Sequence, residues 1–317
     1  MDKRGLLDLI IGRLPGISIP ERILLAGHFE TEGDLVSLSK RDLECILGRP
    51  LQLISGMDAA RRAAEEDSRL ARLSGIGYIS CAGATYPPLL RELPDPPALL
   101  FYRGRLPDPE LPLAAVVGTR RPSGAAAVQA YDISRELAQG GLPVVSGLAL
   151  GIDAMAHRGN LEGGASTIAV LGSGLDYIYP AANRMLARRI VETGGVLLSE
   201  YPPGTAPRKW HFPARNRIIA GLARGTLIVE APRNSGALIT AQFALDQGRD
   251  LWVASAGMVQ GEGTKRLASD GAGIISSGKT ILKEWGLAVD SPEEPVPFSG
   301  AVLASSLARS LHVELKE

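Results

Sequence analysis

Cysteine is scarce in this sequence of 317 residues, and long apolar runs are absent from it. Cys45 and Cys81 are too few and too far apart to form a zinc site, and we expect both to be packing residues. No stretch approaches the ~20 apolar residues that a membrane-spanning helix needs. The N-terminal segment has only a short apolar run before Arg13 and lacks the small-residue cleavage site of a secretory signal. We therefore expect a cytoplasmic protein that uses no metal or cofactor and does not insert into a membrane.

An excess of charge of one sign is also lacking overall, because 34 Lys and Arg residues balance 34 Asp and Glu residues. The balance fails locally, since basic residues clearly outnumber acidic ones between positions 184 and 233. At the centre of this segment, residues 207–217 combine several cations with the aromatic residues Trp210 and Phe212. Cations bind phosphates, and aromatic faces stack on unpaired bases. The segment therefore favours contact with nucleic acid, and a solvated charged surface is the alternative.

The two ends of the chain differ from its middle. Residues 1–75 show helical spacing interrupted by Gly and Pro, which predicts a small all-helical domain. Within it, Ser39 followed by Asp42 predicts the capped start of a helix. Residues 76–110 predict a connector that feeds an edge strand, and residues 287–317 predict a linker and short tail without room for a winged-helix domain.

Residues 111–286 alternate apolar runs with helical stretches. The predicted strands are residues 113–117, 143–146, 167–171, 196–199, 226–230 and 251–254. Such alternation is typical of a parallel sheet with helices on both faces. We therefore predict an α/β fold, a Rossmann-like doubly wound, mostly parallel sheet. Ligands of such sheets bind beyond the carboxyl ends of the strands, where loops lead into helices.

Small or basic residues follow the first three of these strands. They are Gly118, Thr119, Arg120, Ser146, Gly147, Ser173 and Gly174. Glycine lets a ligand approach the backbone, a hydroxyl offers a hydrogen bond, and a guanidinium can fork onto a phosphate. The loop after the first strand is not the spaced GxGxxG fingerprint, and it is not a P-loop, because no Gly-Lys-Ser/Thr follows it at the required spacing. Each loop alone could be a plain turn, but three at one sheet edge favour a common binding crevice.

The basic and aromatic stretch adds a fourth loop to this edge. If Asn216 lies near the start of the helix that follows, then Lys209, Arg215 and Arg217 surround the same crevice, and the helix dipole also attracts anions. A fifth loop, residues 231–236, opens another helix, and either a bound phosphate or a helix cap would satisfy its polar groups.

Asp153 and His157 are four residues apart and share one face of a predicted helix. We expect Asp153 to cap this helix. We also expect the pair to form a structural hydrogen bond, because the chain shows no nucleophile motif such as GxSxG nearby.

Taken together, these motifs resemble those of the DNA-processing protein A (DprA/Smf) family over roughly residues 86–272. The resemblance is carried by GTR (118–120), SGLALGIDAMAH (146–157), GSGLD (172–176) with YP (179–180), SEYPPG (199–204), FPARNRII (212–219) and SGALITA (235–241). It implies a non-enzymatic protein that binds single-stranded DNA, forms a homodimer, protects incoming DNA and helps to load RecA recombinase in natural transformation. The helical N-terminal region is similar in character to the family's sterile-alpha-motif-like domain.

Carried onto this sequence, the resemblance implies that Arg120 contacts phosphate, Lys209 supplies a second cation and Phe212 stacks on a base. The serine and glycine residues of the second and third loops would line the floor of the pocket. The chain departs from the family at residues 263–268, where a glycine-rich turn is expected.

A nucleotide-processing enzyme, similar to phosphoribohydrolases, is the alternative function. Those enzymes are recognised by a Pro-Gly-Gly loop followed by Gly-Thr and a catalytic Glu. Residues 231–236 lack this pattern, and Glu230 is the only carboxylate near them in the sequence. The sequence therefore favours a binding protein over an enzyme.

Overall fold

The computed structural model describes residues 3–51 and 56–287. The predicted linker and tail, apart from residue 287, lie outside the described residues. No helix within the described ranges is both long and apolar enough to span a bilayer. Cys81 is buried, as a packing residue should be, but Cys45 is exposed, so that part of the cysteine prediction is wrong.

Helices account for the first part of the chain, as predicted. They are α1 (Lys3–Arg13), α2 (Ile19–His28), α3 (Glu32–Val36), α4 (Lys40–Leu47) and α5 (Met57–Leu73). The predicted cap of α4 is confirmed: the Ser39 hydroxyl accepts the backbone N–H of Asp42 at 3.2 Å, and the Asp42 carboxylate accepts the N–H of Ser39 at 2.8 Å. Gly48, with φ at +67°, ends this helix in the left-handed conformation that favours glycine.

One mixed sheet forms the centre of the described structure. Its strands are β1 (Gly77–Ser80), β2 (Leu99–Gly104), β3 (Ala114–Val117), β4 (Val144–Ser146), β5 (Ile168–Val170), β6 (Val196–Ser199), β7 (Gly225–Ile228), β8 (Asp250–Ala254) and β9 (Gly273–Ile275). Their spatial order is β1-β2-β6-β5-β4-β3-β7-β8-β9. The pairs β1/β2 and β2/β6 are antiparallel, and the other pairs are parallel. The predicted Rossmann-like, mostly parallel sheet is confirmed, whereas β9 was not predicted.

Helices cover both faces of this sheet. They are α6 (Pro88–Arg91), α7 (Gly124–Gln139), α8 (Ile152–Glu162), α9 (Arg184–Glu192), α10 (His211–Leu222), α11 (Gly236–Asp246), α12 (Gly257–Gln260), α13 (Glu262–Ser269) and α14 (Gly278–Glu284), with a 3-10 turn at Ala181–Asn183. Within β3, Val116 packs in one buried apolar cluster with residues of α7, and Val117 packs in a second with residues of α10. The segment that departs from the family pattern, residues 263–268, lies within α13 and is therefore helical.

The helical segment and the sheet share apolar contacts. Leu7 of α1 and Leu14, which directly follows α1, are buried in one cluster with Leu99 and Phe101 of β2. This contact holds α1 against the antiparallel edge of the sheet, on the side away from β7.

The order of the strands reverses next to β3. From β3 the chain adds β4, β5 and β6 on one side, and then returns to place β7, β8 and β9 on the other. In open α/β sheets, ligands bind outside the carboxyl ends of the strands at such a switch point. The topology therefore predicts a ligand site at the loops that follow β3 and β7.

Candidate nucleic-acid interface

A crevice of about 810 Å³ opens beyond the carboxyl ends of β3 and β7. Its walls are the loop after β3, the beginning of α10 and the beginning of α11. The residues that line it include Gly118, Thr119, Arg120, Arg121, Tyr179, Lys209, Phe212, Arg215, Asn216, Gly236 and Thr240. The first, fourth and fifth predicted loops thus meet here. Among residues 3–51 and 56–287, no group of three or more His, Cys, Asp or Glu side chains could hold a metal ion.

Arg120 and Phe212 form the centre of the crevice. The Arg120 guanidinium lies 5.7 Å from the centroid of the Phe212 ring. The Tyr179 ring packs against the Phe212 ring at a centroid distance of 5.5 Å and an interplanar angle of 45°. Arg120 and Lys209 are exposed, and neither forms an ion pair with any residue that the structure describes. A cation and an aromatic face are therefore presented together to an incoming ligand.

Neighbouring basic residues are arranged differently, because acidic side chains pair with them. Arg188 pairs with Glu192 at 2.6 Å, and Arg189 lies 3.6 Å from Glu162. These pairs lie on the surface of α8 and α9. Much of the basic excess found in the sequence is thus compensated locally, as a solvated surface would be.

Arg217 also lies outside the crevice, which corrects its predicted placement. Its guanidinium donates to Glu200 Oε1 at 2.6 Å and to the backbone carbonyl of Asp95 at 3.2 Å. The physical reason is the helix start: α10 begins at His211 and not near Asn216, so Arg217 faces the connector before β2. Asn216 lines the crevice from the second turn and donates to the carbonyl of Gly236 at 3.2 Å.

Arg215 reaches the crevice only from below. It is 5% exposed and donates to the carbonyl of Gly147 at 2.8 Å and to that of Val170. Burial lowers the pKa of its guanidinium to about 10, and the nearby carboxylate of Asp153 opposes this shift. Arg215 therefore joins α10 to the loop after β4 and to the end of β5.

Asp153 does not cap α8, because Gly151 precedes that helix and Asp153 lies inside its first turn. Its Oδ2 accepts the N–H groups of Gly147 at 3.1 Å and Ala149 at 3.3 Å. Burial raises the pKa of this carboxyl group, and Arg215 opposes the rise. Asp153 is thus a carboxylate beneath the crevice that holds the loop after β4.

The expected hydrogen bond between Asp153 and His157 is also wrong. His157 Nδ1 lies 2.8 Å from Thr167 Oγ1, and that hydroxyl donates to the carbonyl of Val144 at 2.7 Å. Because the hydroxyl proton is used, Nδ1 carries the proton of the imidazole. Burial lowers the pKa of His157 to about 3, with a further contribution from Arg215. The neutral ring is a core residue.

The predicted floor of the pocket is only partly present. Ser146 and Ser173 are buried, and their hydroxyls donate to the carbonyls of Val116 and Tyr177, each at 2.7 Å. Gly174 is buried as well. Gly147 lines a smaller cleft beside Phe212. A Cβ atom at Gly147 would lie 2.7 Å from the Arg215 guanidinium and from Asp153 Oδ2, so glycine is needed here for internal packing.

The loop after β7 is a helix cap. The Ser235 hydroxyl accepts the N–H of Ala237 at 3.3 Å at the start of α11. Thr240, one turn further, is buried and lines the crevice. The sequence allowed either a helix cap or a phosphate contact at this loop, and the structure contains the helix cap.

Sequence reasoning missed Tyr179 and Arg121 as residues of this site. Both are exposed and line the crevice. Tyr179 belongs to a Tyr-Pro pair that follows the third loop, and an aromatic residue beside a small-residue loop was the available signal.

Comparisons with known proteins show the family to which this chain belongs. The family described as DNA recombination-mediator protein A matches residues 77–286. The chain belongs to this family. It is 46% identical over 207 residues to Protein Smf of Synechocystis sp. and 44% identical over 202 residues to DNA processing protein DprA of Streptococcus pneumoniae, in each case over 63% of this chain. The matched part spans 52% of the Synechocystis protein and 71% of the pneumococcal one.

Solved structures of family members have the same fold. The structure of DNA processing protein A from Streptococcus pneumoniae matches with a TM-score of 0.69 and 35% identity, over 89% of this chain and 94% of that one. DNA processing protein A from Helicobacter pylori, whose structure is described in terms of a unique single-stranded DNA binding mode, matches with a TM-score of 0.59 and 30% identity. That match covers 66% of this chain and 95% of the other.

Proposed function

We propose that the crevice binds single-stranded DNA without strong sequence preference. Arg120 and Lys209 contact phosphates, and Phe212, supported by Tyr179, stacks on a base. The observation that carries this proposal is the position of the Arg120 guanidinium, 5.7 Å from the centroid of the Phe212 ring and without a salt bridge to any described residue. Every base has a face that can stack, so such a site tolerates any sequence.

The location of the crevice supports the same proposal. It lies at the switch point of the sheet, where loops and helix starts favour anions. The Helicobacter pylori relative is described as binding single-stranded DNA, and the match to it includes two thirds of this chain. Gly118, Thr119 and Asn216 complete the proposed contact surface, whereas Arg215 acts from below it.

We propose that the protein binds DNA without catalytic turnover. Glu230, the carboxylate expected of an enzyme at this strand end, is buried and accepts the Ser123 hydroxyl at 2.5 Å and the Ser123 N–H at 3.2 Å. It therefore fixes the start of α7. A release assay with a purine nucleoside monophosphate tests this: sustained turnover that disappears in Glu230→Gln would establish the enzyme instead.

The wider role rests on the family. We propose that the protein acts as a homodimer in the cytoplasm, protects incoming DNA and helps to load RecA recombinase in natural transformation. Relatives in Streptococcus pneumoniae and Bacillus subtilis carry the name DNA processing protein DprA. Sedimentation of the purified chain tests the dimer. Recombinase filament formation on coated single strands, measured with and without the protein, tests the loading.

A comparison of single- and double-stranded oligonucleotides of one sequence tests the binding itself. In gel-shift titrations, we expect tighter binding to the single strand, because only unpaired bases can stack on Phe212. Arg120→Ala and Lys209→Ala should each weaken it, whereas Arg188→Ala, whose cation is already paired with Glu192, should not. Equal affinity for both DNA forms would contradict the proposal.

A further inference from the structure

Trp210 stands on the surface immediately before α10, with 64% of its area exposed. The other two tryptophans of the chain, Trp252 and Trp285, are 5% and 8% exposed. Their indole N–H groups donate to carboxylates of Glu284 at 3.0 Å and Asp250 at 2.9 Å. A large aromatic ring with a polar edge is typical of interfaces when it is not buried in a core.

The backbone at Trp210 is held firmly. The N–H of His211 donates to the carbonyl of Arg208 at 3.0 Å, which closes a tight turn around Trp210. The His211 ring lies with Nδ1 3.0 Å from the carbonyl of Gly172 and stacks on Tyr201 at a centroid distance of 3.9 Å. Trp210 is therefore presented from a fixed position, which reduces the entropy that a ligand contact would cost.

Cations flank this ring in the same way as they flank Phe212. The Arg208 guanidinium lies 5.4 Å from the centroid of the Trp210 ring. Lys209, which lies between Arg208 and Trp210 in the sequence, lines the crevice. Neither cation pairs with an acidic side chain in the part of the chain that the structure describes. The combination of an aromatic face and unpaired cations thus continues from the crevice onto the adjoining surface.

We propose that Trp210 is an outer stacking platform for single-stranded DNA, used by nucleotides that extend beyond those held at Phe212. The occupant follows from continuity and charge: a strand whose phosphates are bound by Arg120 and Lys209 leaves the crevice beside the turn that carries Arg208 and Trp210. This inference rests on the proposed function and extends it from a pocket to a path along the surface.

Tryptophan fluorescence tests the inference directly, because Trp210 is the one tryptophan of the three that is exposed. Oligothymidylates of roughly 4 and roughly 16 nucleotides, the span of known single-strand site sizes, serve as probes. We expect the longer probe to quench the fluorescence of the unaltered protein, and Trp210→Ala to abolish the quenching. Trp210→Ala should weaken binding of the longer probe roughly 5- to 150-fold and leave binding of the shorter probe within about twofold.

Three further variants separate the inference from the proposed function. Leu73→Ala removes an apolar side chain at the end of α5 that is 71% exposed and does not line the crevice, and it should change neither affinity. Trp210→Tyr should restore most of the affinity for the longer probe, because it restores a stacking face. Arg120→Ala should weaken the binding of both probes.

The inference is overturned if Trp210→Ala binds the longer probe as tightly as the unaltered protein does and if DNA leaves the fluorescence unchanged. A loss of affinity in Arg120→Ala would then still uphold the crevice. If the unaltered protein bound neither probe, the proposed function itself would fail.

Discussion

Replacing Arg215 by Met should destabilise the protein strongly. The proposed contacts of Arg120 and Lys209 with DNA phosphates should remain. The change removes charge-assisted hydrogen bonds to the carbonyls of Gly147 and Val170. Bonds from a charged donor are each worth about 1.5–3 kcal/mol, and removing one member of a buried charged set costs about 3–5 kcal/mol. We therefore expect the free energy of unfolding to fall by about 3–5 kcal/mol.

Asp153 gives this prediction a pH signature. Burial raises the pKa of its carboxyl group in the folded state, and Arg215 limits the rise. A group whose folded pKa is raised contributes stability at low pH that is lost as the pH rises. Without Arg215 the pKa should rise further. The stability deficit of Arg215→Met should therefore be larger at pH ~8 than at pH ~5.

Urea unfolding of four proteins provides the assay: the unaltered chain, Arg215→Met, Asp153→Asn and the double variant. Asp153→Asn should remove the pH dependence of the deficit, and the double variant should lose less stability than the sum of the single changes. A deficit of Arg215→Met below about 1 kcal/mol, equal at both pH values, would refute the assignment of Arg215 as an internal support.

Other substitutions test neighbouring parts of the account. Phe212→Ala should weaken binding to single-stranded DNA by about 1–3 kcal/mol without changing the salt dependence, as measured by fluorescence anisotropy at several salt concentrations. Gly147→Ala should lower stability, because its Cβ would lie 2.7 Å from the Arg215 guanidinium. Chemical unfolding measures this effect, and an unchanged stability would show that the loop can shift. The pKa of His157 is lowered to about 3 in the folded protein, so unfolding experiments should show stability falling as the pH drops below about 6.5, and His157→Gln should reduce that slope.

The sheet and its loops could be predicted because their causes are local in sequence. Short apolar runs such as residues 113–117 and 167–171 are buried on both faces, and small residues follow them. Strand β9 was missed because Gly273–Ile275 is only three residues long and Ile274 is exposed. A strand that short, at the sheet edge, leaves little pattern to detect.

The roles of individual cations could not be predicted, because they depend on partners that are distant in sequence. Arg217 meets Asp95 across 122 residues, and Arg215 meets Gly147 across 68. The start of α10 at His211 turns these two side chains in different directions from those expected. By contrast, Arg120, Lys209 and Phe212 were placed correctly at one crevice, since each lies at or beside a strand-end loop of the same sheet edge.

The salt dependence of single-stranded DNA binding tests the central claim most directly. Each phosphate contact on a single strand contributes about −0.7 to the slope of the logarithm of the binding constant against the logarithm of salt concentration. We predict that Arg120→Ala and Lys209→Ala each make the slope shallower by roughly this amount, whereas Arg188→Ala leaves it unchanged. Slopes and affinities of Arg120→Ala and Lys209→Ala equal to those of the unaltered protein would contradict the claim that this crevice holds DNA.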